Sequence, residues 1–274
     1  MKFPLLSLEL ARRIEMAEGE AAVACVRMMK ATQPGSEGAV ASIGGGYAVY
    51  AGTNSPVTQA VGLGLDGPVS AEEFDKLEEF YFSRKEPVRV ETCPMADATL
   101  MEHYKQRGYW ASEFTNVMVR PMRKKEKYMP QDGVEIRRAS PEETDLWTLT
   151  VAQGFAENYP VTQELLTVMK MFAMGKNIEL YLARIGGRVA GGATLTVREK
   201  TAGLFGASTL PESRNRGVQT ALLQARLQRA AEAGCTLAVS LARPGSISQR
   251  NITRQGFGVL YTRVKFERGC EEKA

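Results

Sequence analysis

Apolar positions change their period along this chain, and the changes mark out its elements. From 8 to 30 they recur at helical spacing, with Gly19 as an expected break and Pro34-Gly35-Ser36 as the end. Strands are expected at 38–43, 47–52 and 57–65, separated by the turn residues Gly44-Gly45-Gly46 and Thr53-Asn54-Ser55-Pro56. Ser70-Ala71-Glu72-Glu73 is a capping box that opens a helix to residue 84. A short strand at 87–92, a helix at 97–107 closed by Gly108, and a strand at 109–120 complete the first half.

The charged run Met122-Arg123-Lys124-Lys125-Glu126-Lys127 and then Pro130-Gln131-Asp132-Gly133 interrupt the pattern. This segment reads as a solvated linker. It divides the chain into expected domains at 1–121 and 133–274, joined by 122–132.

Beyond it the elements repeat in similar order. A strand at 134–138 precedes the capping box Ser140-Pro141-Glu142-Glu143, whose proline suits the first helical position. Helices are expected to residue 156 and at 162–174, then strands at 178–185, 188–196 and 201–209, with Gly186-Gly187 turning the first pair. A helix at 217–233 ends at Gly234, a strand follows at 237–241, a helix at 246–255 ends at Gly256, and a last strand covers 258–267. The order is β-α-α-β-β-β-α-β-α-β, and the first half is a shortened version of it.

With 274 residues, 44% hydrophobic and 24% charged, the chain is an ordinary globular protein long enough for two domains. Its net charge of +4 is spread through the sequence, which argues against a nucleic-acid interface. No stretch reaches the length of a membrane span, and the opening residues lack the apolar core of a signal peptide. Cys25, Cys93, Cys235 and Cys270 show no CxxC spacing and His103 is the sole histidine, so no metal site is expected. Free thiols fit a reducing cytoplasm.

Chemistry concentrates at Leu204-Phe205-Gly206-Ala207-Ser208-Thr209-Leu210-Pro211-Glu212-Ser213-Arg214-Asn215-Arg216-Gly217-Val218-Gln219-Thr220. A strand ends at a proline, and a loop with two arginines and a glycine opens directly into an amphipathic helix. The first amides of a helix lack intrahelical partners, and the helix dipole adds about half a positive charge there. Gly217 lets the backbone approach an anion closely, Arg214 and Arg216 add charged donors, and Thr220 adds a hydroxyl. The pattern predicts a diphosphate cradle.

This segment resembles the acetyl-CoA signature of the GNAT acetyltransferase superfamily, Arg/Gln-x-x-Gly-x-Gly/Ala, with Arg214 and Gly217 in register and Gln219 departing from the small third residue. Asn251-Ile252-Thr253-Arg254-Gln255-Gly256-Phe257 resembles the family's penultimate helix and its Gly-Phe ending. The resemblance implies an α+β chain of two GNAT-like α/β domains, each a mixed, mainly antiparallel sheet flanked by helices. It implies acetyl-CoA as co-substrate and direct attack of a small-molecule or amino-acid-like amine on the thioester. Ser208, Thr209, Leu210, Arg214, Asn215, Arg216, Gly217, Val218, Gln219, Thr220 and Asn251 would bind acetyl-CoA, with a backbone N–H between Ser208 and Leu210 facing the oxyanion. The slot would form where that strand splays from 237–241.

Many members carry a tyrosine four residues before the Gly-Phe glycine; here Ile252 stands there. Ser246, Ser248, Asn251 and Tyr261 are the polar candidates for general acid, beside water, and Tyr261 is the one taken forward. Glu157 is the candidate base, with Tyr159 nearby. In the first half, Tyr104 precedes Gly108 by four, but the loop from Asp66 to Glu73 has no arginine and carries Asp66, Glu72 and Glu73. The first half is therefore expected to have lost acetyl-CoA binding, and to serve as an acceptor wall or a homodimer surface. Acetylation of a protein N-terminus or lysine, and a non-catalytic acetyl-CoA sensor, are the alternative readings.

Overall fold

The structure is a computed structural model that describes residues 3–33, 35–53, 55–123, 125–126, 128–129, 131–155, 161–175 and 177–270, the side chain of Glu164 excepted. In chain order the elements are α1 (Leu8–Thr32), β1 (Ala39–Ile43), β2 (Gly46–Tyr50), β3 (Gln59–Val61), α2 (Ala71–Phe82), β4 (Val88–Thr92), α3 (Thr99–Arg107) and β5 (Trp110–Pro121). They continue with β6 (Val134–Arg138), α4 (Thr144–Gly154), α5 (Gln163–Ala173), β7 (Ile178–Ile185), β8 (Arg188–Arg198), β9 (Thr201–Gly203), β10 (Ser208–Thr209), α6 (Val218–Glu232), β11 (Leu237–Ala242), α7 (Ile247–Arg254) and β12 (Gly258–Arg268).

The chain forms two compact units. The first is Leu5–Asn116 together with the described residues from Tyr261 onward; the second is Val117–Leu260 with Phe3 and Pro4. The chain passes from the first to the second inside β5 and returns inside β12.

In the first unit the strand order is β1-β2-β3-β4-β12-β5, with β3 and β4 parallel and the C-terminal β12 antiparallel to β4, Val264 opposite Thr92. The core is built by Phe74, Leu77 and Tyr81 of α2, Leu100 and Tyr104 of α3, and Val88 and Val90 of β4. Helix α1 is capped by Ser7 and runs unbroken through Gly19. Glycine is there for space, because a Cβ would stand 2.9 Å from the Tyr47 ring. The expected break at Gly19 is therefore a close approach between helix and sheet.

In the second unit the order is β6-β7-β8-β9-β11-β5, with β9 and β11 parallel, β6 through β9 antiparallel, and β10 pairing β8. Helices cover both faces. Trp147 and Val151 of α4 pack with Leu180 and Leu182 of β7, while Ala221, Leu222, Leu227 and Ala230 of α6 pack with Ala193, Leu195, Ala238 and Ile252. Among the described residues no helix is long and apolar enough to cross a membrane.

Candidate functional site

The expected single strand at 201–209 is two short strands with a bulge between them. Thr194 N–H donates to Phe205 C=O at 3.0 Å, and two residues along β8 Gly192 stands opposite Ser208. One residue of β8, Ala193, is thus opposed by two, Gly206 and Ala207. Gly206 has φ of 58°, the left-handed residue that this kind of bulge requires. The bulge turns the strand out of its partnership with β11. The parallel ladder ends with Leu204 N–H on Val239 C=O at 2.9 Å, and the Ser240 hydroxyl takes the Leu204 carbonyl at 2.9 Å. The next rung would be Gly206 N–H to Leu241 C=O. It is not made, and the Gly206 amide has no acceptor among the described residues.

Two adjacent glycines of β8 make room for this arrangement. A Cβ on Gly191 would meet the Ser208 carbonyl oxygen at 2.5 Å and Val218 at 3.0 Å, on the α6 side. On Gly192 it would meet Val151 at 2.7 Å and Trp147 Nε1 at 3.1 Å, on the α4 side. Trp147 is itself fixed by its Nε1–H on Ala193 C=O at 3.1 Å. Gly154, ending α4, stands directly over Ser208, whose hydroxyl donates to Val151 C=O at 3.1 Å.

Leu210 N–H donates to Ala190 C=O at 3.0 Å. Since bonded and non-bonded pairs alternate in an antiparallel ladder, the Ser208 main chain also faces β8, and that of Thr209 faces away from it. Of the three residues expected to present main-chain groups, Thr209 thus turns them outward, whereas Leu210 commits its amide to the sheet.

Pro211 starts a single 3-10 turn to Ser213, and Arg214 returns to extended backbone. Asn215 (φ 60°) and Gly217 (φ 78°) are both left-handed, and Gly217 is the N-cap of α6 without a capping side chain. The amides of Val218, Gln219 and Thr220 therefore open the helix without a backbone acceptor among the described residues. Arg216 is exposed and Arg214 half-buried, whereas the Val218 side chain is in the core, leaving only its main chain for a ligand. Gln131, from the segment before β6, lies over Gly217, where a Cβ would meet its Oε1 at 3.2 Å.

Gln219 does not point along the cradle. Its Oε1 accepts a hydrogen bond from Asn251 Nδ2 of α7 at 2.6 Å, and Arg254 donates to Asn251 Oδ1 at 3.2 Å. Ser246 caps α7 by accepting from Gln249 N–H, and Ile252 is buried in the core. Gly206, Ser208, Thr209, the loop 214–217, the first turn of α6 and Asn251 all belong to the second unit.

Arg226 lies beside the bulge and is passed over by motif reading. It lies on the apolar stripe of α6 between Leu222 and Ala230 and is 2% exposed. Its Nη1 donates to Thr194 C=O at 2.8 Å and to Phe205 C=O at 3.4 Å, and its Nε donates to Leu222 C=O at 3.0 Å. Burial pulls its pKa down to about 9. The signal was a charged residue at a core position of the helix.

Tyr261 lies in the first unit. It is buried, and its hydroxyl donates to Glu15 Oε1 at 2.6 Å, in a cluster where Arg263 contacts Glu15, Glu18 and Glu91. Burial, reinforced by the Glu15 charge, raises the phenol pKa far above its ordinary value. Glu157 and Tyr159 lie outside the described residues.

The corresponding loop of the first unit is closed by its own side chains. Ser70 accepts from Glu73 N–H at 3.2 Å, and the Glu73 carboxylate accepts from the amides of Ser70 at 3.0 Å and Gly44 at 3.3 Å. Asp66 pairs with Arg12 at 2.7 Å. At the start of α2 the Ser70 and Glu73 amides are thus taken up within the capping box, and a carboxylate stands where the second unit has two arginines. Tyr104 is buried against Phe266, and its hydroxyl is 2.9 Å from Thr92 Oγ1.

Residues 144–257 match the Acetyltransferase (GNAT) family. A GCN5-related N-acetyltransferase from Kribbella flavida superposes over 94% of this chain and 95% of its own, with a TM-score of 0.65 at 16% identity. A tandem GNAT protein from the clavulanic acid biosynthesis pathway covers 100% of this chain and 99% of its own, with a TM-score of 0.59 at 13% identity. A GCN5-related N-acetyltransferase from Sphaerobacter thermophilus covers 69% and 61%, with a TM-score of 0.53 at 16% identity. At these identities the likeness is one of fold. No curated protein sequence gives a significant match.

Proposed function

We propose that the protein is an acetyl-CoA-dependent N-acetyltransferase whose acetyl-CoA site lies in the second unit, a reading supported by the match of residues 144–257 to the GNAT family and by the likeness of fold to a tandem GNAT protein. The observation that carries this reading is the break in the β9–β11 ladder after Leu204. It opens a strand edge that leads, through one turn, into the left-handed Gly217 and the donor-rich start of α6.

Acetyl-CoA supplies an activated acetyl thioester. In this reading the amides of Val218, Gln219 and Thr220, the Thr220 hydroxyl and the loop Arg214-Asn215-Arg216-Gly217 hold its diphosphate. The outward main chain of Thr209 and the Asn251 carboxamide hold the pantetheine arm, with Ser208 and Leu210 fixing the strand. The Gly206 amide, rather than one between Ser208 and Leu210, faces the negative charge that develops on the thioester oxygen. The acceptor nitrogen forms its bond to the carbonyl carbon, the C–S bond breaks, and the nitrogen releases a proton. Glu157, in the stretch after α4, is the proposed proton acceptor. The departing thiolate, with an ordinary thiol pKa of about 8.5, takes its proton from solvent. Ile252 is buried and has no acid to offer, and Tyr261 serves the first unit's charge cluster.

The acceptor is proposed to be a small-molecule or amino-acid-like amine. The burial of Ile252 also favours a second reading, an acetyl-CoA-binding sensor without turnover. Incubating the full chain with acetyl-CoA and a panel of primary amines, while following thiol release and acetylated product by mass spectrometry, separates the two. Amine-dependent thiol release supports the transferase, and tight binding without release by any amine, amino acid or peptide overturns it in favour of the sensor.

A further inference from the structure

An arginine at a core position needs a reason, because an apolar side chain of similar volume would fill the place without desolvating a cation. For Arg226 the reason lies at the bulge. In a regular ladder Thr194 and Phe205 would exchange two hydrogen bonds. Only Thr194 N–H to Phe205 C=O is present, and the Thr194 carbonyl instead receives Arg226 Nη1 at 2.8 Å. The Phe205 carbonyl is held from three directions. Thr194 N–H reaches it at 3.0 Å, Thr194 Oγ1 at 2.9 Å and Arg226 Nη1 at 3.4 Å. A trans peptide directs its C=O and N–H oppositely. Pinning the Phe205 oxygen toward β8 and α6 therefore points the Gly206 N–H away from them, toward the side where β11 has parted from the strand.

We propose that Arg226 is a positioning residue for acetyl transfer. Its buried guanidinium clamps the Phe205 carbonyl, so that the Gly206 amide is aimed at the thioester oxygen and polarised toward it. The inference rests on the proposed function and extends it to a residue that touches neither acetyl-CoA nor acceptor. It also accounts for Thr194, whose hydroxyl grips the same carbonyl from β8.

Isotope-edited infrared spectroscopy of [1-¹³C]acetyl-CoA bound to the full-length protein tests this, because the carbonyl band moves to lower frequency when a hydrogen bond polarises it. The wild type should show the shift. Arg226→Met should lose most of it while calorimetric affinity stays within about threefold, Arg226→Lys should restore part, and Thr194→Val should weaken it. Once an acceptor is identified, Arg226→Met should lower kcat about tenfold or more with little change in KM for acetyl-CoA. A folded Arg226→Met protein that binds with the wild-type band overturns the proposal. If that variant does not fold, an unchanged band in Thr194→Val does so. Binding by the wild type with an unshifted band overturns the clamp and leaves the proposed function standing. Absence of binding overturns the proposed function, and the clamp with it.

Discussion

Asn251 Nδ2 donates to Gln219 Oε1 at 2.6 Å and ties the start of α6 to α7. On the proposed function this contact engages a group that the pantetheine arm would use, and binding has to break it. Gln219→Ala should therefore bind acetyl-CoA more tightly. One net hydrogen bond of about 0.5–1.5 kcal/mol corresponds to roughly a 2- to 12-fold change in affinity. Titration calorimetry reads the change, and weaker binding by the variant would instead make Gln219 a ligand.

Gly191 is tightly enclosed beneath the proposed slot, with a Cβ position 2.5 Å from the Ser208 carbonyl oxygen. Gly191→Ala must push β10 off β8 or move α6. Such overpacking costs about 1–3 kcal/mol. Thermal denaturation should show a midpoint lowered by several degrees, accompanied by weaker acetyl-CoA binding.

Glu143 closes the capping box before α4 and ties that helix to the sheet. The Arg137 hydrogen bonds, then the Ser140 amide and Arg184, hold its carboxyl at about 2, below the ordinary glutamate value of 4.5. A depressed acid contributes stability that is complete above its unfolded value and is lost as pH falls through the folded one. The wild type should therefore lose thermal stability between about pH 4.5 and pH 2 more steeply than Glu143→Gln, which should already be less stable at pH 7. Calorimetric melting of both proteins across that range checks the sign, and parallel curves would remove the role given to Glu143.

Much of this was legible in the residues. The glycine before an apolar helix places the start of α6 correctly, because it has a local cause: Gly217 sits at a left-handed cap and α6 begins at the next residue, where the cradle is proposed. The capping boxes at Ser70 and Ser140 form as their spacing predicts. Three things were not legible. Gly19 and Gly206 carry the same symbol, yet one makes room for Tyr47 within an unbroken helix and the other builds a bulge inside an expected strand. Local sequence does not say which. The partner of β12 depends on pairing with β4, more than 160 residues earlier, and alternation along a strand specifies a buried face rather than a neighbour. Tyr261, a candidate general acid by its place in the sequence, accordingly lies in the first unit beside Glu15. Arg226 was written openly on the apolar stripe of its helix, but its purpose depends on the bulge that it supports.

Every step of the proposed reaction depends on acetyl-CoA binding at the second unit's Gly217 loop. Calorimetric titration of the full chain and of the Arg214→Ala/Arg216→Ala double variant tests it most directly. The wild type should bind at one site per chain with a Kd in the micromolar range, and binding should weaken at least tenfold in the variant, whose fold is checked by its melting temperature. Equal binding by a folded double variant, or a second site per chain, would contradict it.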